Sequence, residues 1–468
     1  MGEKKVSTPL TENKMGIMPV GKLLVNMAMP MIIAMLVQAF YNIVDSYFVS
    51  QISNDEAIRE SAIAAMSLAF AVQNILIGFA VGIGVGVNAL LSKSLGEGNQ
   101  ERANFAAGNG MTLSVLAAGL FMIFGVTFAD DYFRMMSNSA LTVEFGTQYI
   151  SLCCLFCLGV FVEILGERLL QASGRTMYTM VTQGVGAIIN IVLDPLLIFG
   201  IGPFPQLGIA GAAVATVVGQ WIAAILAIIF NLKFNPDVRF GFKYFKLRKD
   251  VVAPVLTVGI PTVIMNSIGS VMNIGINKIL QGFTQYGEVP VNVFGIYFKL
   301  QSFFFMPLFG MNNATISIVA YNYGARKPHR ITKTLKIACV SALVFMLGGL
   351  LVFQLVPGLL LGIFDKSHDF LLLGQRALRI ISLCFPFAGV CIALGASFQA
   401  LGNGIYSTIV SLCRQLIVLL PVAYLLSLTG QVNAVWWAFP AAELMSLTAT
   451  SILFARIYKQ KIKPLLNS

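Results

Sequence analysis

The chain has 468 residues, 57% of them hydrophobic and only 11% charged, with a mean hydropathy of +0.81. A soluble domain carries about a quarter charged residues, so this composition excludes ordinary secreted, disordered and cytosolic proteins. It leaves a multi-pass membrane protein, in which the formal charge of +11 is a matter of distribution rather than a nucleic-acid signal. The seven cysteines lie inside apolar runs, with neither the spacing nor the surroundings of a disulfide framework or a zinc site.

A membrane helix needs about 20 mostly apolar residues. Runs of that length predict an all-α membrane protein of twelve helices, over 22–49, 61–92, 101–129, 143–171, 175–200, 208–232, 251–281, 290–318, 330–360, 369–399, 403–428 and 432–458. The runs are continuous rather than alternating, which argues against a β-barrel. With the N-terminus and every second loop on one side, that side collects 23 of the 31 Lys and Arg, from Lys4 and Lys5 to Lys463. The other side has few, among them Arg59, Arg134 and Lys366, diluted by acidic residues. The positive-inside rule predicts cytoplasmic termini. The first apolar run is long enough to span, so no cleavable signal peptide is expected.

The chain also repeats itself. Gly82, Gly96 and Arg102 recur as Gly310, Gly324 and Arg330, each 228 positions later, and Leu170–Gly174 recurs as Phe398–Gly402 at the same offset. Pro30 and Asn42 match Pro261 and Asn273 at an offset of 231. The basic, Pro-containing stretch 233–250 reads as a cytoplasmic linker between a six-helix bundle over 1–232 and another over 251–468. An even number of spans per half gives both halves the same topology, related by a pseudo-two-fold axis along the membrane normal. Two such bundles enclose a central V-shaped cleft, and rocking one against the other gives alternating access.

Ionisable groups inside hydrocarbon cost about 2.5–3.5 kcal/mol on insertion scales. On the first span Met31, Met35, Gln38, Asn42 and Asp45 are spaced 4, 3, 4 and 3, one helical face. On the fifth, Gln183, Asn190 and Asp194 again share a face. Asp45 and Asp194 fall at comparable depth in the outer half of the membrane, each with an Asn about one turn away. Two such carboxylates could hold a proton near neutral pH and release it as the cavity changes exposure. A structural hydrogen bond is the alternative for Asp45, and a cap at the Pro195 break for Asp194.

Glu163 and Glu167 sit a turn apart on the fourth span, near Arg168 and Arg175. Glu167 is expected in an interfacial salt bridge, while Glu163 stays open between that role and ion coupling. Glu443 and Arg414 show no evident partner and read as packing; His329 and His368 read as solvated. In the second half the repeat places Ile276 opposite Asp45 and Val422 opposite Asp194, so coupling is expected in the first half.

The candidate substrate face is Met31, Met35, Gln38, Tyr41 and Asp45, opposed by Met272, Asn273, Lys299 and Phe303, with Met265, Phe304, Phe305 and Met306 nearby. Aromatic faces attract cations and Met adapts to irregular shapes, although such stripes also simply pack. A lipophilic cation and a proton competing for one carboxylate amounts to antiport.

"YNIVD" (41–45), "GIGVGVNALLSKSLGEGN" (82–99), "QASGRTMY" (171–178) and "NIVLDPLLIFG" (190–200) resemble the MATE multidrug exporters, in particular the DinF-like and MepA-like branch. The resemblance implies a V-shaped, twelve-helix exporter driven by a proton or sodium gradient. Its coupling residues fall on Asp45, Asn190 and Asp194 here, with Asn42 and Glu163 as neighbours. The expected function is antiport of cationic or lipophilic compounds against protons. The absence of acidic residues at Ile276 and Val422 favours protons over sodium. A lipid-linked oligosaccharide flippase, for which Lys299, Arg376 and Arg379 are the few candidates, is the alternative transporter. No HExxH, GxSxG or Walker pattern supports an enzyme. No cofactor or metal is expected. The expected partners are small molecules and membrane lipids, with no nucleic acid, and the expected setting is a monomer in a prokaryotic plasma membrane.

Overall fold

In hydrocarbon every backbone N–H and C=O must find its partner within the segment, so each apolar run closes into a helix. The computed structural model describes residues 13–53, 55–364 and 367–466. Lys4, Lys5 and Lys366 and the side chain of Asn42 lie outside the described residues. The spans are α1 (Val20–Ser50), α2 (Glu56–Gly96), α3 (Gln100–Thr127), α4 (Ala140–Leu155 with Leu158–Ala172), α5 (Thr176–Phe199) and α6 (Ile209–Phe234). They continue as α7 (Lys249–Gln281), α8 (Val289–Gly324), α9 (Pro328–Leu355), α10 (His368–Ser382 with Phe385–Ala400), α11 (Gly404–Ser427) and α12 (Val432–Leu466). Among the described residues ten helices are each long and apolar enough to cross a membrane, and the two bent pairs bring the number to twelve if each pair is one span.

The breaks have local causes. The halves of α4 meet at 50°. There Trp221 of α6 donates from Nε1 to the Phe156 carbonyl at 3.1 Å, and its ring lies so close to Gly159 that a Cβ would sit 2.8 Å from it. In α10 the bend is 44°, with Pro386 in the first turn of the second half. Within α11, Cys413–Leu419 is a π-helix leading into Pro421; a proline without an N–H breaks the regular ladder and favours such an inserted turn.

Two large apolar clusters form the bundle cores. One gathers residues from Val49 to Val255, with Phe133, Tyr149 and Phe161 fully buried. The other centres on Phe294, Tyr297, Phe353, Phe385 and Trp436. Two elements trade places between them: Leu23 and Met27 of α1 pack in the C-terminal cluster, whereas Val251 and Val255 of α7, 228 positions on, pack in the N-terminal one.

With 41 and 36 residues, α2 and α8 are about 60 and 54 Å long at about 1.5 Å per residue, well beyond the hydrocarbon thickness of about 30 Å. Their C-terminal halves cross between the bundles. Gly82 lies against the Gly259 backbone and Gly310 against Met31 and Ile32, again a pair at the 228 offset. Ser317 Oγ donates to Asn88 Oδ1 across the crossing at 3.0 Å. These contacts lie toward the basic end, where Lys93, Arg102, Lys233–Lys249 and Arg326–Lys336 collect.

Two segments brace that end. The stretch 233–250 is fixed to α3: Asn109 Nδ2 donates to the carbonyls of Tyr244 and Lys246 at 2.9 and 3.0 Å, and its Oδ1 accepts from Arg248 N at 2.8 Å. The short helix Lys14–Ile17 forms a strap across both bundles. Asn13 Nδ2 donates to Ser173 O at 3.0 Å on one side. On the other, Arg330 Nη2 donates to Met15 O and Met18 O at 3.0 and 2.6 Å, and Asn322 Nδ2 to Met15 O at 3.1 Å.

Candidate functional site

The packing of α1 against α5 brings Asp45 and Asp194 within electrostatic range of each other. Asp194 is fully buried. Asn190, one turn earlier on the same face, donates from Nδ2 to Asp194 Oδ2 at 3.3 Å and accepts from Thr216 Oγ1 and N of α6 at 3.3 and 3.2 Å, an amide orientation that satisfies both ends. Thr216 in turn reaches the Tyr149 hydroxyl. Gln73 of α2 donates from Nε2 to Tyr149 OH at 3.1 Å and lies 3.7 Å from Cys153 Sγ. A connected polar network therefore crosses α2, α4, α5 and α6 inside an otherwise apolar core, with Asp45 of α1 beside it. Asp45 Oδ1 is buried and has no hydrogen-bond partner among the described residues.

The network extends toward the basic end. Tyr41 lies within range of Asp45, Asp194 and Glu163, and Gln38 hydrogen-bonds to it. Glu163 in turn is beside Glu167. Glu167 is not in the expected interfacial salt bridge. It is 3% exposed, and its carboxylate accepts from Thr182 Oγ1 at 2.8 Å and Gln183 Nε2 at 3.0 Å. Arg168 points to Gln171 Oε1 at 2.9 Å, and Arg175 pairs with Asp237. Proximity in sequence put Glu167 near two arginines, but α5 packs on it and supplies neutral donors, while the Arg168 charge acts from nearby without pairing.

Among the described residues no three His, Cys, Asp or Glu side chains converge to hold a metal ion. What the arrangement can do is bind and release protons, or a small cation, at two carboxylates inside a helical bundle.

The profile of the MatE family matches residues 30–196 and 261–425, two consecutive copies that follow the internal repeat. The chain belongs to the MatE family. It is 26% identical over 442 residues to the FAD transporter of Shewanella oneidensis, covering 94% of this chain and 95% of that protein. It is 24% identical over 435 residues to the multidrug export protein MepA of Staphylococcus haemolyticus, covering 93% of each. Among solved structures, MATE in complex with MaL6 overlays with a TM-score of 0.89 at 23% identity, over 98% of this chain and 100% of that one. A MOP superfamily transporter from Pyrococcus furiosus, described as having a binding pocket of reversed polarity, overlays with a TM-score of 0.89 at 22% identity, over 99% of this chain and 100% of that one. The fold is that of the MATE transporters, and the protein is a membrane transporter rather than an enzyme.

In this MatE chain the sequence-nominated substrate face divides. Met35, Gln38, Tyr41 and Asp45 are half-buried along α1, and Asn273 is half-buried on α7, where it accepts from Asn277 Nδ2 at 2.8 Å. Lys299 and Phe303 are exposed on α8. Met31 and Met272 are not on an open face: at 1% and 8% exposure they sit in the C-terminal core cluster, because α8 crosses α1 at Met31. Phe304 and Phe305 are half-buried against the same cluster, Phe304 edge-on to Phe353 and Phe305 edge-on to Phe385. Sequence reading did not single out Gln73, Tyr149 and Thr216; lone polar side chains in long apolar runs were the available signal.

Proposed function

We propose that this MATE transporter exports lipophilic cations in exchange for protons. The observation that carries the reading is the approach of Asp45 to within electrostatic range of the Asn190–Asp194–Thr216 network, one of its carboxylate oxygens being left without a hydrogen-bond partner among the described residues. A buried carboxyl with an open acceptor gains a partner either by taking a proton or by meeting a cation, and one site cannot favour both at once. Residues 1–232 would then form the coupling bundle, 233–250 a linker that moves with it, and 251–468 the opposing bundle. The basic end, and both termini with it, faces the cytoplasm of a plasma membrane. One chain suffices for transport, since both bundles and the cleft belong to it.

Two MepA multidrug exporters and the tolerance of Met and aromatic side chains for bulky guests support the cargo class. The relative named as an FAD transporter favours a second reading, export of an anionic dinucleotide, for which Lys299 on α8 offers an exposed charge.

Reconstituted vesicles carrying a proton gradient test both. A lipophilic cation added to wild-type vesicles should trigger proton movement, and Asp45→Asn should abolish it while leaving folded protein in the membrane. Asp194→Asn should weaken proton coupling more than ligand affinity. Transport that follows a sodium gradient with the proton gradient collapsed would overturn the choice of ion; FAD uptake without cation uptake would overturn the cargo.

A further inference from the structure

The second bundle was expected to carry no coupling group, because Ile276 and Val422 stand where the first has Asp45 and Asp194. It nevertheless holds its own buried polar site. Trp436, Glu443, Ser446 and Thr450 are spaced 7, 3 and 4 along α12, one helical face, and are 0, 5, 0 and 1% exposed. Trp436 Nε1 has no hydrogen-bond partner among the described residues, whereas Ser446 reaches Glu443 and Cys391, and Thr450 reaches Cys391. A buried Trp436 N–H without a partner costs about 1–3 kcal/mol, and the carboxylate and hydroxyls that follow it have more donors and acceptors than these contacts use. The partner small enough to serve each of them is water. The row spans 14 residues, about 21 Å at about 1.5 Å per residue.

Glu443 sits within this row. Its Oε2 faces Arg414 Nη1 at 3.5 Å, longer than the roughly 2.7–2.9 Å of a tight charge-assisted bond. Arg414 belongs to the π-helix Cys413–Leu419, and inserted π turns are places where helices shift register and functional sites gather. The other titratable groups that reach Glu443 are Tyr297 of α8 and Cys384 and Cys391 of α10. Moved back by 228, Glu443 and Cys391 fall on Ala215, next to Thr216, and on Glu163. The two bundles therefore build polar sites in matching places from unrelated residues.

We propose that Glu443 is a second proton-binding carboxyl, served by a hydrated row along α12 and gated by the approach and withdrawal of Arg414. When the guanidinium withdraws, an O–H bond forms on Glu443 with a proton from hydronium in the row. Arg414 keeps its own protons and charge. When it returns, the proton leaves by the same row. Its role in transport rests on the proton-exchange reading above, but the titration of Glu443 does not.

Infrared difference spectra of the purified protein in lipid, recorded across a pH titration without substrate, read that titration directly. A protonated-carboxyl band that is lost in Glu443→Gln and kept in Asp45→Asn is the expected result, with the proton-to-substrate ratio falling by about one in Glu443→Gln vesicles. A folded Glu443→Gln protein with a spectrum identical to wild type would overturn the proposal. Should that variant fail to fold, Arg414→Met/Glu443→Met removes the pair as a unit, a change that buried pairs often tolerate. Unchanged proton stoichiometry in this double variant would overturn it, and a reduced ratio would support it. If the wild type moves substrate without protons while the Glu443 band still titrates, the exchange reading falls and the site stands.

Discussion

Gly96 and Gly324, 228 positions apart, press each against the turn that carries the other: Gly96 against the Tyr321 carbonyl and Gly324 against the Lys93 carbonyl. Lys93 and Tyr321 are themselves 228 apart. The crossing of α2 and α8 thus closes on two equivalent backbone contacts that leave no room for a Cβ.

Adding a side chain there should open the basic end. Gly324→Val forces the helices apart, and overpacking of this kind costs about 1–3 kcal/mol, on the order of a tenfold shift in the closed population. A cysteine placed at Ser317, buried at the crossing, in a background lacking the native cysteines should then react several-fold faster with a thiol reagent added from the basic side. An unchanged rate would mean that the closure does not depend on this contact.

The strap over the same end makes a second prediction. Arg330 joins it to the C-terminal bundle through the Met15 and Met18 carbonyls, and hydrogen bonds to a charged group contribute about 1.5–3 kcal/mol. Arg330→Ala should raise amide exchange in residues 13–18 and leave exchange in α5 and α6 unaltered. Exchange that rises throughout the chain would instead mark Arg330 as a support of the whole fold.

Lys14 gives the strap a pH dependence. Burial, and secondarily the nearby Arg175 charge, lower its pKa from the ordinary 10.5. The folded chain holds that proton less tightly than the unfolded chain, so unfolding takes up a proton between the two values. Stability therefore rises as pH climbs from the folded value toward 10.5. In Lys14→Met this alkaline rise should disappear, measured as a flatter dependence of Tm on pH. A slope equal to wild type would assign the effect to other groups.

The spans were legible because twelve runs of apolar residues leave the backbone little choice but helix, and helical phase alone put Asn190 and Asp194 on one face. The bends were not legible, since the α4 break depends on Trp221 reaching Phe156 from 65 positions away. Nor was the burial of Met31, which follows from the length of α8 and its crossing with α1. Arg414 and Glu443 looked solitary because 29 residues and a π-helix separate them, and an inserted turn shifts the helical phase on which a sequence argument relies.

The bend itself can be tested. Trp221→Phe keeps a ring against Gly159 but removes the donor to the Phe156 carbonyl. On a face exposed to hydrocarbon an acceptor without its partner is costly, and the chain recovers that cost by straightening α4. Tm should fall by several degrees, and transport should fall with it, because α4 carries Tyr149, Cys153, Glu163 and Glu167. Full transport with a lowered Tm would show that the bend stabilises the bundle without positioning the network.

Thr216 is the sharpest probe of the network, because it is neither acidic nor in the cleft face nominated from sequence. Its hydroxyl and amide hold the Asn190 oxygen, leaving the Asn190 nitrogen for Asp194. Thr216→Val keeps the shape and the backbone amide but removes the hydroxyl, which leaves the Asn190 oxygen a single donor and loosens the nitrogen that faces Asp194. Proton release on substrate addition should fall by about tenfold, the equivalent of about 1.4 kcal/mol, with little change in Tm. Thr216→Ser restores the hydroxyl without the methyl group and should restore coupling. If valine and serine behave alike, the methyl group matters and the hydroxyl does not, and the Thr216 amide with packing would suffice to hold Asn190.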